Sequence, residues 1–305
     1  MRGMIHLQIH QLEYVVALER YLQFSTAAHE IAVTQSTISD QIKKLENELG
    51  IELFIRSTRK VQVTPAGKEF LVYAKRILND IDSAKNSMLE HSKLLTGKIR
   101  IGAIANIRYL GITSVITAFQ KKYPGLLIEI HEENSDNLLK QMDNLDLDVA
   151  FLTFPYDEGH ISKNIDFFPL VHDKVILLVA NDHPLADRKK VSISEIEEEN
   201  ILLIRSSTAL QNSLLNEIHK HGIKPNVILE SHHVETIKVF VEEGLGVTFF
   251  QQQIARSILN PQLRIVEVDI SLERTTGLGI PKGSSLYTAE IFRDFVLNSY
   301  TPPRP

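Results

Sequence analysis

Between Thr34 and Lys44, Thr34, Gln35, Ser36, Thr37 and Ser39 offer short hydroxyl and amide groups, Asp40 a carboxylate, and Lys43 and Lys44 cations. These groups recognise rather than react: hydroxyls and amides match base edges, and cations match phosphates. Arg56, Arg59 and Lys60 around the Ser57-Thr58 turn form a second group suited to a polyanion, although basic turns more commonly just face solvent. Arg205-Ser206-Ser207-Thr208 joins a cation to three hydroxyl donors, a combination that suits a small anion such as a carboxylate. Chemistry that would break bonds is harder to find. His219-x-His221 and His232-His233 carry metal-binding nitrogens, but without cysteines or a His-Glu-x-x-His frame they read as surface histidines. Gly244-x-Gly246 lacks the third glycine of a dinucleotide loop, and Gly283-Ser284-Ser285 lacks the glycine that completes a nucleophile elbow. No catalytic residue, metal site or cofactor is expected, and an enzyme is not the leading reading.

The first group needs a helix to present it. His10 to Leu49 reads as three helices, with Leu12, Val15, Val16 and Leu18 apolar in the first and Ala27, Ala28 and Ile31 in the second, for which Ser25 is the expected cap. In the third, Ile38, Ile42, Leu45 and Leu49 form one buried stripe, while Ser36, Asp40, Lys43 and Asn47 lie opposite it; Thr34 is the expected cap. A helix entering the major groove needs this layout, with short polar groups at its start, cations further along and an apolar back. Gly50 ends the helix, Leu53-Phe54 supplies apolar anchors, and Ile55 to Val63 reads as a hairpin wing with the basic turn at its tip.

Thr64-Pro65 starts a further helix, since threonine can cap and proline needs no N–H at the first position. Phe70, Ala74, Ile77, Ile81, Ala84 and Met88 then follow alternating steps of four and three, a heptad seam. A helix running to about Lys93 is too long to fold back on so small a module, so pairing with a second copy is expected; packing on the chain's own core is the competing reading.

From Lys98 onward strands alternate with helices. Ile99–Ala103, Leu127–His131 and Val149–Thr153 read as strands around helices at Val115–Phe119 and Leu138–Leu145, which predicts a mostly parallel sheet covered by helices. Later strands are expected at Phe167–Ala180 and Ile201–Ile204, and helices at Leu210–His219, Val234–Glu242 and Ala289–Val296. Ligands in such sheets bind beyond the carboxyl ends of strands. Those places are Ala105-Asn106, Thr153-Phe154, Arg205 to Thr208 and His232-His233, although for a single serine or threonine helix capping is the commoner role.

Composition limits the rest. The 305 residues are 43% hydrophobic and 23% charged, near globular averages, and include no cysteine, which removes disulfides, thiolate metal sites and thiol nucleophiles. The longest wholly apolar run, Val175 to Ala180, is far short of the roughly 18 residues of a membrane span, so a cytoplasmic protein without a membrane partner is expected. The net charge of −5 is uneven: residues 1–98 hold 13 basic and 11 acidic residues, leaving 20 basic and 27 acidic to residues 99–305. Only the first part could meet a polyanion, and its slight excess charge favours a dimer that doubles the phosphate contacts.

The chain resembles the LysR-type transcriptional regulators. The matching residues are Leu12, Ala27-Ala28, the run Thr34 to Ile42, Leu45-Glu46, Leu49-Gly50, Leu53-Phe54, Arg56 and Thr64-Pro65-Ala66-Gly67. Looser matches occur at Gly97 to Gly102, Phe119, Tyr123-Pro124, Leu147 to Ala150, His183 to Leu185 and Gly244 to Val247. The resemblance implies an α/β chain overall, with a winged helix-turn-helix (1–64), a linker and dimerisation helix (65–96) and an effector-binding domain shaped like periplasmic solute-binding proteins (97–305). It divides that domain into a first lobe near 97–168 plus 269–305 and a second near 169–268. Implied partners are an inverted repeat of double-stranded DNA, a second copy in dimers or tetramers, a small-molecule effector and RNA polymerase. Three departures stand out. Asp40 replaces the arginine usual in the recognition helix, Ala105-Asn106 replaces a usual serine or threonine after the first strand, and Phe250-Gln251 replaces the common Leu-Pro. Two other classes remain open from the residues alone: a sensing module that does not read DNA, and an enzyme on a solute-binding fold.

Overall fold

The computed structural model describes residues 7–56, 61–90, 96–155, 163–205, 208–284 and 286–302. The chain forms two units, residues 1–95 with 284–288, and residues 96–283 with 289–305.

In the first unit, α1 (Ile9–Tyr21), α2 (Phe24–Glu30) and α3 (Gln35–Leu49) precede a two-stranded hairpin of β1 (Phe54–Arg56) and β2 (Val61–Val63), followed by α4 (Pro65–Glu90). Ile38, Ile42 and Leu45 are fully buried against Val15, Leu18 and Ala27. At about 1.5–3 kcal/mol for each fully buried aliphatic side chain, this stripe holds α3 to the module. Thr34 caps α3 as expected, its side chain accepting the N–H of Thr37 at 3.1 Å, and Gly50 closes it with φ 70°, a left-handed conformation that favours glycine. The cap of α2 differs from expectation: Gln23 is the N-cap and Ser25 already lies inside the helix. Gln23 takes that place because its backbone is extended while its carbonyl accepts the N–H of Ala27 at 3.0 Å.

The linker seam divides in two. Leu71 and Ala74 are buried, Phe70 is half-buried against the module core, and Lys75 pairs with Glu19 of α1 at 3.1 Å. The helix therefore does fold back on its own module over its first turns, against expectation. Beyond them, Ile77, Ala84 and Met88 are exposed and Ile81 is half-buried.

The second unit contains β3 (Gly97–Ala103), α5 (Ile112–Lys122), β4 (Leu126–Glu132), α6 (Ser135–Asp143), β5 (Val149–Pro155), the long β6 (Ile165–Ala180) and the short β7 (Lys190–Val191). It continues with β8 (Asn200–Ile204), α7 (Thr208–Lys220), β9 (Asn226–Ser231), α8 (Val234–Glu242), β10 (Val247–Gln251), α9 (Gln252–Ile258), β11 (Leu263–Val268) and β12 (Glu273–Pro281), and holds most of α10 (Tyr287–Ser299). Strands run in the order β4-β3-β5-β12-β6-β10-β8-β9, with β11 also on β6 and β7 on β11. Pairing is parallel for β4-β3-β5 and for β9-β8-β10, but β12 runs antiparallel to β5 and β6, and β6 antiparallel to β10 and β11. The expected parallel sheet is thus confined to each βαβ group, because the strands that return between the groups must run the other way. Helix α6 also stops at Asp143, before the expected Leu145, which adopts φ 57°.

β6 makes the two lobes. Its residues from Ile165 to Lys174 pair with β12, and from Val175 onward it pairs with β10 and β11. The apolar run Val175–Ala180 is buried on both faces: Val175, Leu177 and Val179 enter one core, Ile176 and Leu178 another.

Candidate functional site

Each unit presents one candidate. On α3, Gln35, Ser36, Thr37, Asp40, Lys43 and Lys44 are exposed and Ser39 is half-buried. Thr34 Oγ1 lies 2.8 Å from both Ser36 Oγ and Thr37 Oγ1, so its first task is to order the helix start. The helix is also fixed from behind by Gln41, whose Oε1 lies 3.3 Å from His10 Nε2 and 3.5 Å from Gln11 Nε2 on α1. Sequence reasoning missed this role, because Gln41 matters through residues some thirty positions away. The result is a rigid polar ridge whose chemistry suits a groove lined by bases and phosphates.

Arg56, an expected DNA contact, has partners within the unit as well. Its guanidinium pairs with Glu46 Oε2 at 2.5 Å and lies over the Phe24 ring at 5.4 Å, so the charge ties β1 to α3 and α2. Ser57, Thr58, Arg59 and Lys60 lie outside the described residues.

In the second unit the carboxyl ends of six strands meet around a cavity of about 300 Å³. It is lined by Ile104, Ala105 and Asn106 after β3, Glu132 to Ser135 after β4, Thr153 of β5, Ile204-Arg205 after β8, His232-His233 after β9, and Gln251 ending β10. A smaller cavity of about 100 Å³ shares Asn106, Thr153, Ile204 and Gln251 and adds an apolar lining from Leu203, Leu214, Phe249 and Ile254, together with Arg274. The structure therefore brings together Ala105, Asn106, Thr153, Arg205, His232 and His233. Phe154 is not among them: it is 5% exposed and packs edge-on against Phe167 at 5.2 Å, since neighbours on a strand face opposite sides. Ser206 and Ser207 lie outside the described residues, and Thr208 is the first residue of α7.

The wall chemistry is mixed. Thr153 is buried, its N–H bonded to Ser135 Oγ at 3.1 Å and its Oγ1 2.7 Å from Thr276 Oγ1. Arg205 is exposed, with Glu230 at 3.8 Å. Gln251 holds a buried Nε2 without a hydrogen-bond acceptor on the shared wall of both cavities. Arg274 is only 4% exposed, and desolvation lowers its pKa to about 10, which still leaves it a cation at neutral pH. Glu132 to Ser135 and Gln251 were missed although they sit at strand-to-helix junctions like the others. Arg274 had no local signal, being inside a strand whose partners are distant in sequence.

A helix-turn-helix with a β-hairpin wing, joined to a two-lobed α/β unit with a cavity at its strand ends, defines a DNA-reading regulator with a ligand-binding domain. Residues 9–68 match the family model "Bacterial regulatory helix-turn-helix protein, lysR family", and residues 92–300 match "LysR substrate binding domain". The chain belongs to the LysR family of DNA-binding transcriptional regulators, which are not enzymes. Among curated relatives, the "Hydrogen peroxide-inducible genes activator" of Haemophilus influenzae is 30% identical over 81% of this chain and 80% of its own length. Among solved structures, a full-length OxyR variant from Pseudomonas aeruginosa superposes with a TM-score of 0.75 at 22% identity, covering 98% of this chain and 99% of that one. Full-length CbnR in complex with its target DNA gives 0.62 at 17% identity, covering 96% of this chain and all (100%) of that one. No helix among the described residues is long and apolar enough to cross a membrane.

Proposed function

We propose that this chain acts in the cytoplasm as a dimer, or a pair of dimers, that places two copies of α3 in neighbouring major grooves of an inverted repeat and answers to a small anionic effector, altering contact with RNA polymerase. The observation that carries the DNA half is the exposed row Gln35, Ser36, Thr37, Asp40, Lys43 and Lys44 over the buried stripe Ile38, Ile42 and Leu45. Residues 1–64 read DNA, 65–96 pair the copies and 97–305 bind the effector. Arg59 and Lys60 supply phosphate contacts from the wing, as Lys43 and Lys44 do from the helix. Asp40 accepts a hydrogen bond from cytosine N4 rather than touching phosphate; if Asp40→Ala leaves the ranking of operator variants unchanged, that assignment fails.

The exposed Arg205 on the cavity wall supports a small anionic effector, with Asn106, His232 and His233 as further contacts and the hydroxyls of Ser206, Ser207 and Thr208 as donors. Relatives are named for induction by hydrogen peroxide, but these 305 residues contain no cysteine, so thiol oxidation is not the trigger and reversible binding is. The deciding experiment is electrophoretic mobility shift with the DNA upstream of its own gene. Sequence-specific binding that weakens steeply with salt is expected, and its absence would leave only a sensing module. A thermal-shift screen of small carboxylates then tests the effector, since a ligand specific for the folded state raises the melting temperature.

A further inference from the structure

The two lobes of the second unit are joined by more than their shared strands. Between β3 and α5 the first lobe makes one 3-10 turn, Ile107–Leu110, and its Tyr109 ring is buried in the second lobe's core with Val234, Ile237 and Val241 of α8 and Ile254 of α9. The Tyr109 hydroxyl donates to Glu235 Oε1 on α8 at 2.9 Å, and Arg108 Nη2 reaches the same oxygen at 2.7 Å. Arg108 also lies over the Tyr109 ring at 4.4 Å, and Ser257 Oγ of α9 donates to the Tyr109 carbonyl at 3.2 Å. Glu235 has a second cation, Lys238, at 3.8 Å.

The Arg108–Glu235 pair is about half exposed on both sides and holds little by itself. The buried ring and its directed hydroxyl dominate. Both halves of this junction hang from the cleft. Asn106, which lines both cavities, immediately precedes the turn, and His233, which lines the larger one, is the N-cap of the helix that carries Glu235. A molecule seated between Asn106 and His233 therefore bears on both sides of the tyrosine contact at once.

We propose that Tyr109 is an inter-lobe latch: its contact with Glu235 sets the spacing of the lobes, and filling the cleft acts on the DNA-reading units by shifting that contact. The proposal rests on the reading of the cleft as an effector site. Since the chain has no cysteine, Lys140→Cys on α6 and Lys224→Cys before β9 place one spin label on each lobe of the full-length protein. Dilution into unlabelled protein removes distances between copies. Tyr109→Phe keeps the ring and loses only the hydroxyl, and Glu235→Ala removes its acceptor. Each is expected to broaden the inter-lobe distance distribution about twofold, as expected when a second conformation becomes populated. Tyr109→Phe should also change the length of the DNase footprint on its own upstream DNA without added ligand. Unchanged distances in both variants overturn the latch, and changed distances with an unchanged footprint on bound DNA overturn its coupling. If the wild type binds no DNA, the proposed function fails, and the distances alone still decide whether the latch exists.

Discussion

Glu46 binds Arg56 through Oε2 at 2.5 Å and, through Oε1, the backbone N–H groups of Leu53 at 2.9 Å and Phe54 at 3.1 Å. One nearly buried carboxylate on the recognition helix thus holds the root of the wing. Removing it strands two buried donors and a guanidinium, so Glu46→Ala should cost about 2–4 kcal/mol in urea unfolding; a loss under roughly 0.5 kcal/mol would make the contact incidental. Arg56→Ala should weaken DNA binding without changing its salt slope, whereas Lys43→Ala should lower the slope by about 0.9 for each phosphate it no longer neutralises.

Gly67 explains why the turn Thr64-Pro65-Ala66-Gly67 takes the form it does. The Thr64 hydroxyl accepts the Gly67 N–H at 2.9 Å, and a Cβ on Gly67 would stand 2.1 Å from the Leu53 carbonyl oxygen. The obstacle is backbone, so it cannot swing aside. Gly67→Ala should destabilise the first unit by on the order of 2 kcal/mol, the usual cost of overpacking. A melting temperature equal to that of wild type would show that α4 can shift freely against β1.

How legible each determinant was in the sequence depends on how local it is. The stripe of Ile38, Ile42 and Leu45 against Ser36, Asp40 and Lys43 is a periodicity within four turns of one helix, and the structure keeps it. The same logic should have separated Thr153 from Phe154, since adjacent strand residues face opposite sides, and only Thr153 reaches the cleft. Glu46 resembles a solvent-facing helix carboxylate until Arg56 and the Leu53 N–H are folded against it. Arg274 lines the smaller cavity because β12 returns between β5 and β6, a pairing across more than a hundred residues that no window of sequence contains.

The Tyr300 hydroxyl donates to the carbonyl of Leu110 at 2.9 Å, anchoring the end of the turn that carries Tyr109. Burial pushes its pKa from 10.0 up to about 12. Because the folded value is the higher one, the stability it contributes is complete below pH 10 and is lost as pH rises through about 12. In an ultraviolet titration, Tyr300→Phe should lack an ionisation near pH 12 that the wild type shows, and its alkaline unfolding should be less steep between pH 10 and 12. A difference between the two titrations centred near pH 10 instead would mean that Tyr300 ionises like an ordinary surface tyrosine.

The linker offers a test in which self-association and folding separate cleanly. Leu71 and Ala74 are consumed by the module to which α4 is attached, while Ile77 is 38% and Met88 64% exposed along the continuation of the same seam. Exposed apolar residues at heptad spacing gain little in a monomer and much in a pair of helices. Ile77→Glu would remove two buried side chains from a symmetric dimer. At about 1.5 kcal/mol each, that raises the dimer dissociation constant on the order of a hundredfold, while the fold of the monomer has little to lose. Sedimentation velocity across a concentration series reads the first quantity and far-ultraviolet circular dichroism the second. Dissociation without unfolding is the expected result. A variant that sediments like the wild type would place the contact between copies elsewhere on the chain, and the two copies of α3 would then be spaced by something other than α4.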